Sequence, residues 1–291
     1  MRQYPPHGGS CRCWKDQKMK IKNQILDVLR PIRRRLRSHH QYVRMAKSFS
    51  ATGFDPPVMY DVGARWGISP PYDQLKLIPG FCSVGFEADP EEAERLESAK
   101  LFTRVVPVGL GNKDEVRPLY VARDPGSSSL FEPDMKEIGR HTGSKQFETT
   151  KTISVLLTPM DSAVEKYDLP PPDFIKVDCE GAEGMIFEGA AGVLRNVIGV
   201  SFEARIVEFY RGEPRLQGLL SFFLERGFVL VDLKPVGSFN GTQVMFDVAM
   251  IRHPDGYQSE REFCMGKFFC LLYGNAPYAS YLESIGAEFR H

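Results

Sequence analysis

The chain has 291 residues, of which 42% are hydrophobic and 25% charged, and this composition is typical of a soluble globular protein with a sizeable core. Basic and acidic side chains are equal in number, 37 of each, so net charge alone predicts no nucleic-acid or membrane partner. No stretch reaches ~18 consecutive apolar residues and no apolar signal core is present, so we expect neither membrane spanning nor secretion. The six cysteines lack zinc-site spacing, which favours a reduced cytoplasmic protein.

The charges are unevenly distributed along the chain. Residues 15–47 contain eleven Lys and Arg but only two acidic residues, Asp16 and Asp27, so the remaining body is acidic. Apolar residues at helical spacing predict a helix in this segment, which Pro31 interrupts. We predict a basic, partly disordered arm over residues 1–49 and one folded domain over residues 50–291. The arm could pack on the domain, lie on an anionic membrane surface or contact RNA.

From residue 57 onward, β-rich runs alternate with helical runs. Strands are predicted at Val58–Val62, Phe81–Glu87, Thr103–Val108, Val116–Ala122, Thr152–Leu157, Asp173–Asp178, Val197–Ala204, Phe228–Leu233 and Gln243–Arg252. Helices are predicted at Tyr72–Leu77, from the Asp89 cap to about Lys100, after Asp178 to about Arg195, and at Pro214–Arg226. The alternation predicts an α/β fold with a doubly wound, mostly parallel sheet. Because no helix joins the last two strands, we expect one antiparallel strand at the edge.

Two predicted strand ends indicate a nucleoside site. Asp61, Gly63 and Gly67 lie in the turn after the first strand, where glycines permit the close approach of a ligand. Glu87 ends the second strand, where a carboxylate can accept hydrogen bonds from both hydroxyls of a ribose. The glycines lack the G-x-G-x-x-G spacing, which disfavours a dinucleotide.

A later strand end is rich in acidic residues. Asp178 ends a buried strand, Glu180 and Glu183 follow in the turn and the first helical turn, and Glu203 ends the next strand. Because ligands bind at the carboxyl edge of such sheets, these acids could orient a substrate hydroxyl, accept its proton or hold a divalent metal. We predict Asp178, Glu180 and Glu203 as catalytic residues. The candidate metal ligands are Asp178, Glu180 and Glu183.

A series of motifs between about Val58 and Arg252 carries a family resemblance. The motifs are YDVGARWG, VGFEADP, SSSLFEP, LLTPMDSAV, FIKVDCEGAEGMIFEGAAGVL and VSFEA. In order and spacing they resemble the FkbM-type S-adenosylmethionine-dependent methyltransferases, with Arg65 in place of the asparagine that the family favours. The resemblance implies a Rossmann-like class I methyltransferase fold with a seven-stranded sheet. It also implies methyl transfer from S-adenosylmethionine to a hydroxyl of a sugar, glycan or natural product.

The resemblance also implies which residues surround the cofactor. These residues are Asp61, Gly63, Ala64, Gly67, Glu87, Ala88 and Asp178. The expected partner is a small-molecule or glycan acceptor, and nucleic acid is not expected. We expect a cytoplasmic protein, with residues 15–47 able to place it on the inner face of the membrane.

The sequence also contains features that favour other interpretations. Ser69-Pro70-Pro71-Tyr72 is similar to a motif of base-amino methyltransferases, but that motif belongs after the fourth strand, where this chain has Asp178. We therefore interpret Pro70 and Pro71 as scaffold at the start of a helix, with Ser69 as its cap. Residues 124–146 form a long loop that could close over the acceptor, and its His141 is a further candidate base. The alternative functions are an RNA methyltransferase guided by the basic arm and a non-catalytic nucleoside-binding scaffold.

Overall fold

The computed structural model describes residues 42–142, 145–236 and 241–288. The strands are β1 (Val58–Val62), β2 (Cys82–Phe86), β3 (Arg104–Val106), β4 (Gly109–Gly111), β5 (Glu115–Ala122), β6 (Thr149–Pro159), β7 (Phe174–Val177), β8 (Gly199–Arg205), β9 (Phe228–Pro235) and β10 (Met245–Arg252). The helices are α1 (42–50), α2 (Pro90–Ser98), α3 (Met135–His141), α4 (Met160–Lys166), α5 (Glu183–Glu188), α6 (Leu216–Leu224), α7 (Glu260–Leu272) and α8 (Ala276–Glu288).

Seven of the strands form one sheet in the order β3-β2-β1-β7-β8-β10-β9. Neighbours from β3 to β8 pair in parallel, whereas β10 pairs antiparallel with both β8 and β9. The predicted class, a doubly wound and mostly parallel α/β fold, is confirmed. The antiparallel strand, however, is not the edge strand. The four residues 248–251 of β10 are buried, which suits an interior position, and the more exposed β9 forms the edge.

Each face of this sheet is covered by its own apolar core. Met59 and Tyr60 are adjacent in β1 and both fully buried, yet they pack into different clusters, because successive side chains of a strand point to opposite faces. The first core includes Phe223 of α6, and the second includes Phe269 of α7. The carboxyl edge therefore lies between two separately packed layers.

The second core includes the end of the predicted arm. Residues 42–50 are helical, and Ala46 and Phe49 are buried in the core beneath α7 and α8. The rest of the arm, residues 1–41, lies outside the described residues, so its predicted helix and disorder remain predictions. Residues 42–50 are therefore packed on the domain through Ala46 and Phe49.

A second, smaller sheet has the strand order β4-β6-β5. The sequence predicts β5 and β6 as additional strands, but it does not predict β4, which has only three residues. Close packing explains Gly109 of β4, because a Cβ there would lie 2.5 Å from the Leu157 side chain. The backbone of β4 also packs against the end of α5, where a Cβ on Gly189 would lie 1.9 Å from the carbonyl oxygen of Gly111.

Several predicted helix boundaries require correction. Asp89 caps α2 as predicted, since its side chain accepts the Glu91 N–H. The helix predicted to reach Arg195 ends at Glu188, before the tightly packed Gly189. The predicted Ser69 cap is wrong, because Pro71 directly precedes the short helix Tyr72–Leu77 and no side chain caps it.

The helices α7 and α8 follow the last predicted strand and were not predicted from the sequence. They pack together over the second core. Within the described ranges, none of the helices combines the length and the apolar character needed to cross a bilayer.

Candidate active site

The carboxyl ends of β1, β2 and β7 meet at one edge of the main sheet. The three strands are parallel neighbours and end in register, so Gly63, Glu87 and Asp178 come directly after aligned residues. All three line a cavity of about 230 Å³, which we name the first cavity. The predicted site residues on its wall are Gly63, Glu87, Ala88, Asp178, Glu180 and Glu203. The sequence therefore predicts that these three strand ends share one edge, and six of its predicted site residues lie on the wall of the first cavity.

The remaining predicted cofactor residues lie behind the wall rather than on it. Asp61 and Ala64 are each 1% exposed, and neither they nor Gly67 lines the first cavity. Gly63 has a φ of +80°, and a Cβ there would lie 2.1 Å from the carbonyl oxygen of Asp178. Gly63 is therefore required by the close approach of two strand ends, in addition to any room it leaves for a ligand.

Glu87 is a nearly buried carboxylate on the wall of the first cavity. It is 6% exposed, and its Oε1 accepts the N–H of Asp89 at 2.9 Å. Burial raises the pKa of Glu87, and the charge of Arg65 opposes that shift. Arg65 lines the cavity and donates to Asp89 at 3.1 Å, so the residue that departs from the family pattern anchors this corner. Trp66 is 71% exposed on the same wall.

Lys176 connects the strand ends from behind, a role that was not predicted. Its Nζ lies 3.2 Å from Asp61 Oδ1 and 3.4 Å from Asp178 Oδ2. Burial opposes the charge of Lys176, but the two carboxylates raise its pKa above the usual value, so it stays cationic at neutral pH. Burial raises the pKa of Asp61 to about 6. The signal in the sequence is spacing, since Lys176 and Asp178 lie two residues apart at one strand end.

Arg205 is a second residue that sequence reasoning missed. It is 2% exposed and donates to Glu180, to Glu203 at 2.6 Å and to Glu213 at 3.3 Å. The Tyr210 hydroxyl also donates to Glu180, at 3.0 Å. One residue, Ala204, separates Glu203 from Arg205 on β8, so strand alternation places both on one face.

This cluster gathers more acidic than basic side chains. Burial raises the pKa of Glu180, Glu203 and Glu213, and the guanidinium of Arg205 opposes each shift. One arginine thus faces three carboxyl groups whose burial favours the protonated form. Glu180 and Glu203 line the first cavity, and their carboxyl oxygens attract a positively charged ligand.

Glu183 has a structural role that the sequence does not indicate. Its two carboxylate oxygens accept the N–H groups of Cys179 and Gly181, both at 2.9 Å, and the residue is 2% exposed. Burial raises the pKa of Glu183 to about 8. Glu183 therefore holds the turn after β7, and its role as a metal ligand stays a prediction.

Among the described residues, one acidic set has the spacing of a metal site. Oxygens of Asp178, Glu180 and Glu203 all lie within 4.8 Å of one another. The guanidinium of Arg205 already contacts two of these carboxylates and supplies the opposing charge. The donor set therefore fits a hydrogen-bonded ion cluster better than a metal centre.

The long loop predicted to be a lid contributes to the first cavity. It contains a short helical turn, Pro125–Ser127, and helix α3, and residues 143–144 lie outside the described residues. Its residues on the wall are Pro125, Gly126, Ser128 and Leu130. His141 instead lies 3.1 Å from Glu137 on α3 and lines neither large cavity, which argues against its candidacy as the base.

A larger cavity of about 780 Å³, which we name the second cavity, adjoins the first. Its wall includes Tyr72, the strand ends of β7, β8 and β10 at this edge of the sheet, and the junction of α7 with α8. Lys176 of β7 is one of the wall residues. Asp178 and Glu203 line both cavities. The side chain of Asp178 is 45% exposed, so a carboxylate is accessible where the cavities meet.

Comparison with known proteins agrees with the strand-end geometry. The profile of the Methyltransferase FkbM domain matches residues 61–230. The chain belongs to the FkbM methyltransferase family. The match includes the strand ends that carry Glu87, Asp178 and Glu203, and it ends in β9. No curated protein has significant sequence similarity to the chain.

Solved structures resemble this family member only distantly. The FkbM methyltransferase of Methylobacillus flagellatus KT has 16% identity and a TM-score of 0.40, and the match covers 66% of this chain and 44% of that one. This chain thus spans less than half of that protein. A precorrin-6y C5,15-methyltransferase of Geobacter metallireducens GS-15 has 13% identity and a TM-score of 0.36, covering 72% and 87% of the two chains. The magnesium protoporphyrin IX methyltransferase of Synechocystis PCC 6803 has 12% identity and a TM-score of 0.35, covering 74% and 79%.

Proposed function

We propose that this FkbM family member is an S-adenosylmethionine-dependent O-methyltransferase whose acceptor is a hydroxyl of a sugar, glycan or natural product. The observation that carries the proposal is the position of Asp178, an accessible carboxylate on the wall of both cavities. A sugar hydroxyl is a very weak acid, so its methylation needs a base beside the reacting oxygen. We therefore assign this role to Asp178.

The residues of the first cavity fit the cofactor. One oxygen of Glu87 accepts the Asp89 N–H, which leaves the other oxygen for ribose hydroxyls. The carboxyl oxygens of Glu180 and Glu203 on this wall suit a sulfonium. When bound, S-adenosylmethionine supplies an electrophilic methyl group on that positively charged sulfur. Asp61, Ala64 and Gly67 support this site from behind the wall.

The chain contributes alignment and proton transfer. With the acceptor in the second cavity, Asp178 accepts the proton of the attacking hydroxyl, and Lys176 holds that carboxylate at the junction of the cavities. Arg205 fixes Glu180 and Glu203 beside it. No step requires a metal ion.

The basic arm adds a proposal about location. Residues 15–47 are strongly basic, which supports a cytoplasmic enzyme held at the anionic inner face of a membrane. Of the alternatives, RNA methylation is opposed by the acidic surroundings of both cavities, because a polynucleotide would need basic residues there.

Two substitutions test the separate roles proposed for Glu87 in cofactor binding and for Asp178 in proton transfer. Glu87→Ala removes the ribose acceptor, so we expect at least a roughly tenfold weaker affinity for S-adenosylhomocysteine. Asp178→Asn removes the base but preserves shape, so we expect kcat to fall by about 10²–10⁴-fold with little change in cofactor affinity. Affinity is measured by calorimetry, and turnover by transfer of labelled methyl groups to glycan and glycolipid extracts.

The control is Glu94→Ala, on the exposed face of α2, which should change neither measurement. If the wild type binds neither S-adenosylmethionine nor S-adenosylhomocysteine, the protein is instead a scaffold with a methyltransferase fold. If both site variants keep full activity, the proposed active site is wrong.

A further inference from the structure

The wall of the second cavity carries chemistry that methyl transfer itself does not use. We propose that this cavity binds a hydroxylated acceptor that carries a protonated amine, and that Asp247 binds the amine. The inference rests on the proposed function, because it takes the second cavity as the acceptor site. It adds the chemical class of the acceptor and a residue that recognises it.

One side of the cavity is built from flat, mostly apolar groups. Pro70 and Pro71 line it together with Tyr72 and Tyr273, whose rings lie edge to face with centroids 6.1 Å apart. The Tyr72 hydroxyl and Ser201 lie 3.0 Å apart, which fixes the tyrosine. Such groups pack against the C–H surfaces of a ring-shaped molecule and leave its hydroxyls and amines to polar residues elsewhere. The proline motif thus forms part of a binding wall as well as a scaffold.

The strand ends on the wall are mostly acidic, with Asp178, Glu203, Asp232 and Asp247. Each lysine described on the wall already has a carboxylate partner, since Lys176 lies 3.4 Å from Asp178 and Lys234 lies 3.6 Å from Asp232. Asp247 has no hydrogen bond or ion pair to any described residue, although the charges of both lysines act on it. An anionic acceptor would therefore find no unpaired cation among the described residues of this wall, and it would face a carboxylate that no lysine contacts directly.

The strand register places Asp247 within reach of the reaction centre. In the sheet register, Asp247 of β10 lies opposite Glu203 of β8 on one side and opposite Lys234 of β9 on the other. Asp247 is exposed on the wall. Partial burial of its carboxyl and the charge of Asp178 raise its pKa, whereas the charges of Lys234 and Lys176 lower it. A bound ammonium would give this carboxylate a direct ionic partner. A cationic group at Asp247 would anchor one end of the acceptor while its hydroxyl reaches Asp178.

A matched set of oligosaccharides tests this inference. The probes are tetraglucosamine, its fully N-acetylated analogue and tetragalacturonate, which share a ring size but present ammonium, amide and carboxylate groups. Binding is measured by calorimetry on the full chain with S-adenosylhomocysteine present. We expect the wild type to bind tetraglucosamine at least ~10-fold more tightly than the other two, because only its ammonium pairs with Asp247.

Three variants make the result specific. Asp247→Asn should remove the preference for the amine, whereas Asp255→Asn, at an exposed aspartate outside both cavities, should keep it. Ala276→Trp, which fills the second cavity, should abolish binding of all three probes. All three variants should keep the wild-type affinity for S-adenosylhomocysteine.

The outcomes separate this inference from the proposed function. Suppose that S-adenosylhomocysteine binds, but the amine probe does not bind or binds no more tightly than the amide or carboxylate probe. The inference is then overturned, while the proposed methyltransferase function stands. If Asp247→Asn keeps the preference, the amine is recognised elsewhere and the inference also fails. If the wild type does not bind S-adenosylhomocysteine, the methyltransferase proposal fails with it.

Discussion

At the scale of single residues, Gly63 is a position where one added carbon atom would meet both backbone strain and a clash. Its φ is +80°, and a Cβ would lie 2.1 Å from the Asp178 carbonyl oxygen, so Gly63→Ala combines backbone strain with a backbone clash. We expect the variant to lose at least about 2 kcal/mol of unfolding free energy. Cofactor affinity should fall as well, because the clash separates two walls of the first cavity. Thermal unfolding and calorimetry measure the two effects.

The control for this substitution is Gly218→Ala in α6. Gly218 has ordinary helical geometry and nothing within 4 Å of the added Cβ, so alanine should stabilise the helix by roughly 0.5–1 kcal/mol. A Gly63→Ala protein as stable as the wild type would show that the two strand ends are not held this closely in solution.

At the scale of elements, β8 ends in Arg205, the cation that pairs with three buried carboxyl groups. Arg205→Met leaves Glu180, Glu203 and Glu213 buried without their cation, so we expect a loss of about 3–5 kcal/mol at pH 8. Burial raises the pKa of these carboxyls above 4.5, so their protonated forms favour the fold and their cost grows as pH rises through this range. The loss should therefore be smaller at pH 5, as urea unfolding at both pH values would show.

The matched control is Arg211→Met, in the loop after β8. Arg211 pairs with Glu132 at 3.4 Å, but both side chains are more than half exposed, so the pair contributes little. Equal losses for the two arginine variants, or a loss at Arg205 that does not depend on pH, would contradict the assignment of Arg205 as the counter-ion of this cluster.

The elements also show which features a sequence can predict. Strand periodicity and strand-end acids identify β1, β2, β7 and β8 and the edge on which Glu87 and Asp178 meet, because these signals are local. The sequence does not predict β4, because its glycines are required by close contacts with residues far away in the chain, such as Leu157. It likewise cannot show that Glu183 turns toward the backbone, or that Arg205 gathers Glu213 from outside its strand. Those details depend on contacts between segments far apart in the chain.

At the scale of the whole molecule, the two sheet faces have separate tasks. The first cavity is walled by residues of the first core, including Val62 and Phe86, whereas the second cavity lies beside Tyr72 of the second core. The sheet edge that carries Asp178 is the boundary between them. The helices α7 and α8 are part of this arrangement, because their junction lines the second cavity.

The distribution of charge over the whole chain leads to a final prediction. Residues 1–41 contain eleven Lys and Arg but two Asp, so the rest of this neutral chain carries a surplus of nine acidic side chains. Each Lys or Arg near an anionic membrane contributes about 1 kcal/mol to binding. Deleting residues 1–41 keeps Ala46 and Phe49 in the second core, so we expect the shortened protein to fold.

We expect the full chain to sediment with vesicles rich in phosphatidylserine and the shortened chain to lose this binding by more than about tenfold. Vesicles of phosphatidylcholine alone should bind neither protein, and added salt should weaken binding of the full chain because it screens the charges. Methyl transfer to a soluble acceptor should be equal in both proteins, since the described residues that line the two cavities lie between Tyr42 and Ala276 and are all retained. Equal sedimentation of the two chains would contradict a membrane role for the arm, and a loss of RNA binding on deletion would favour nucleic acid as its partner.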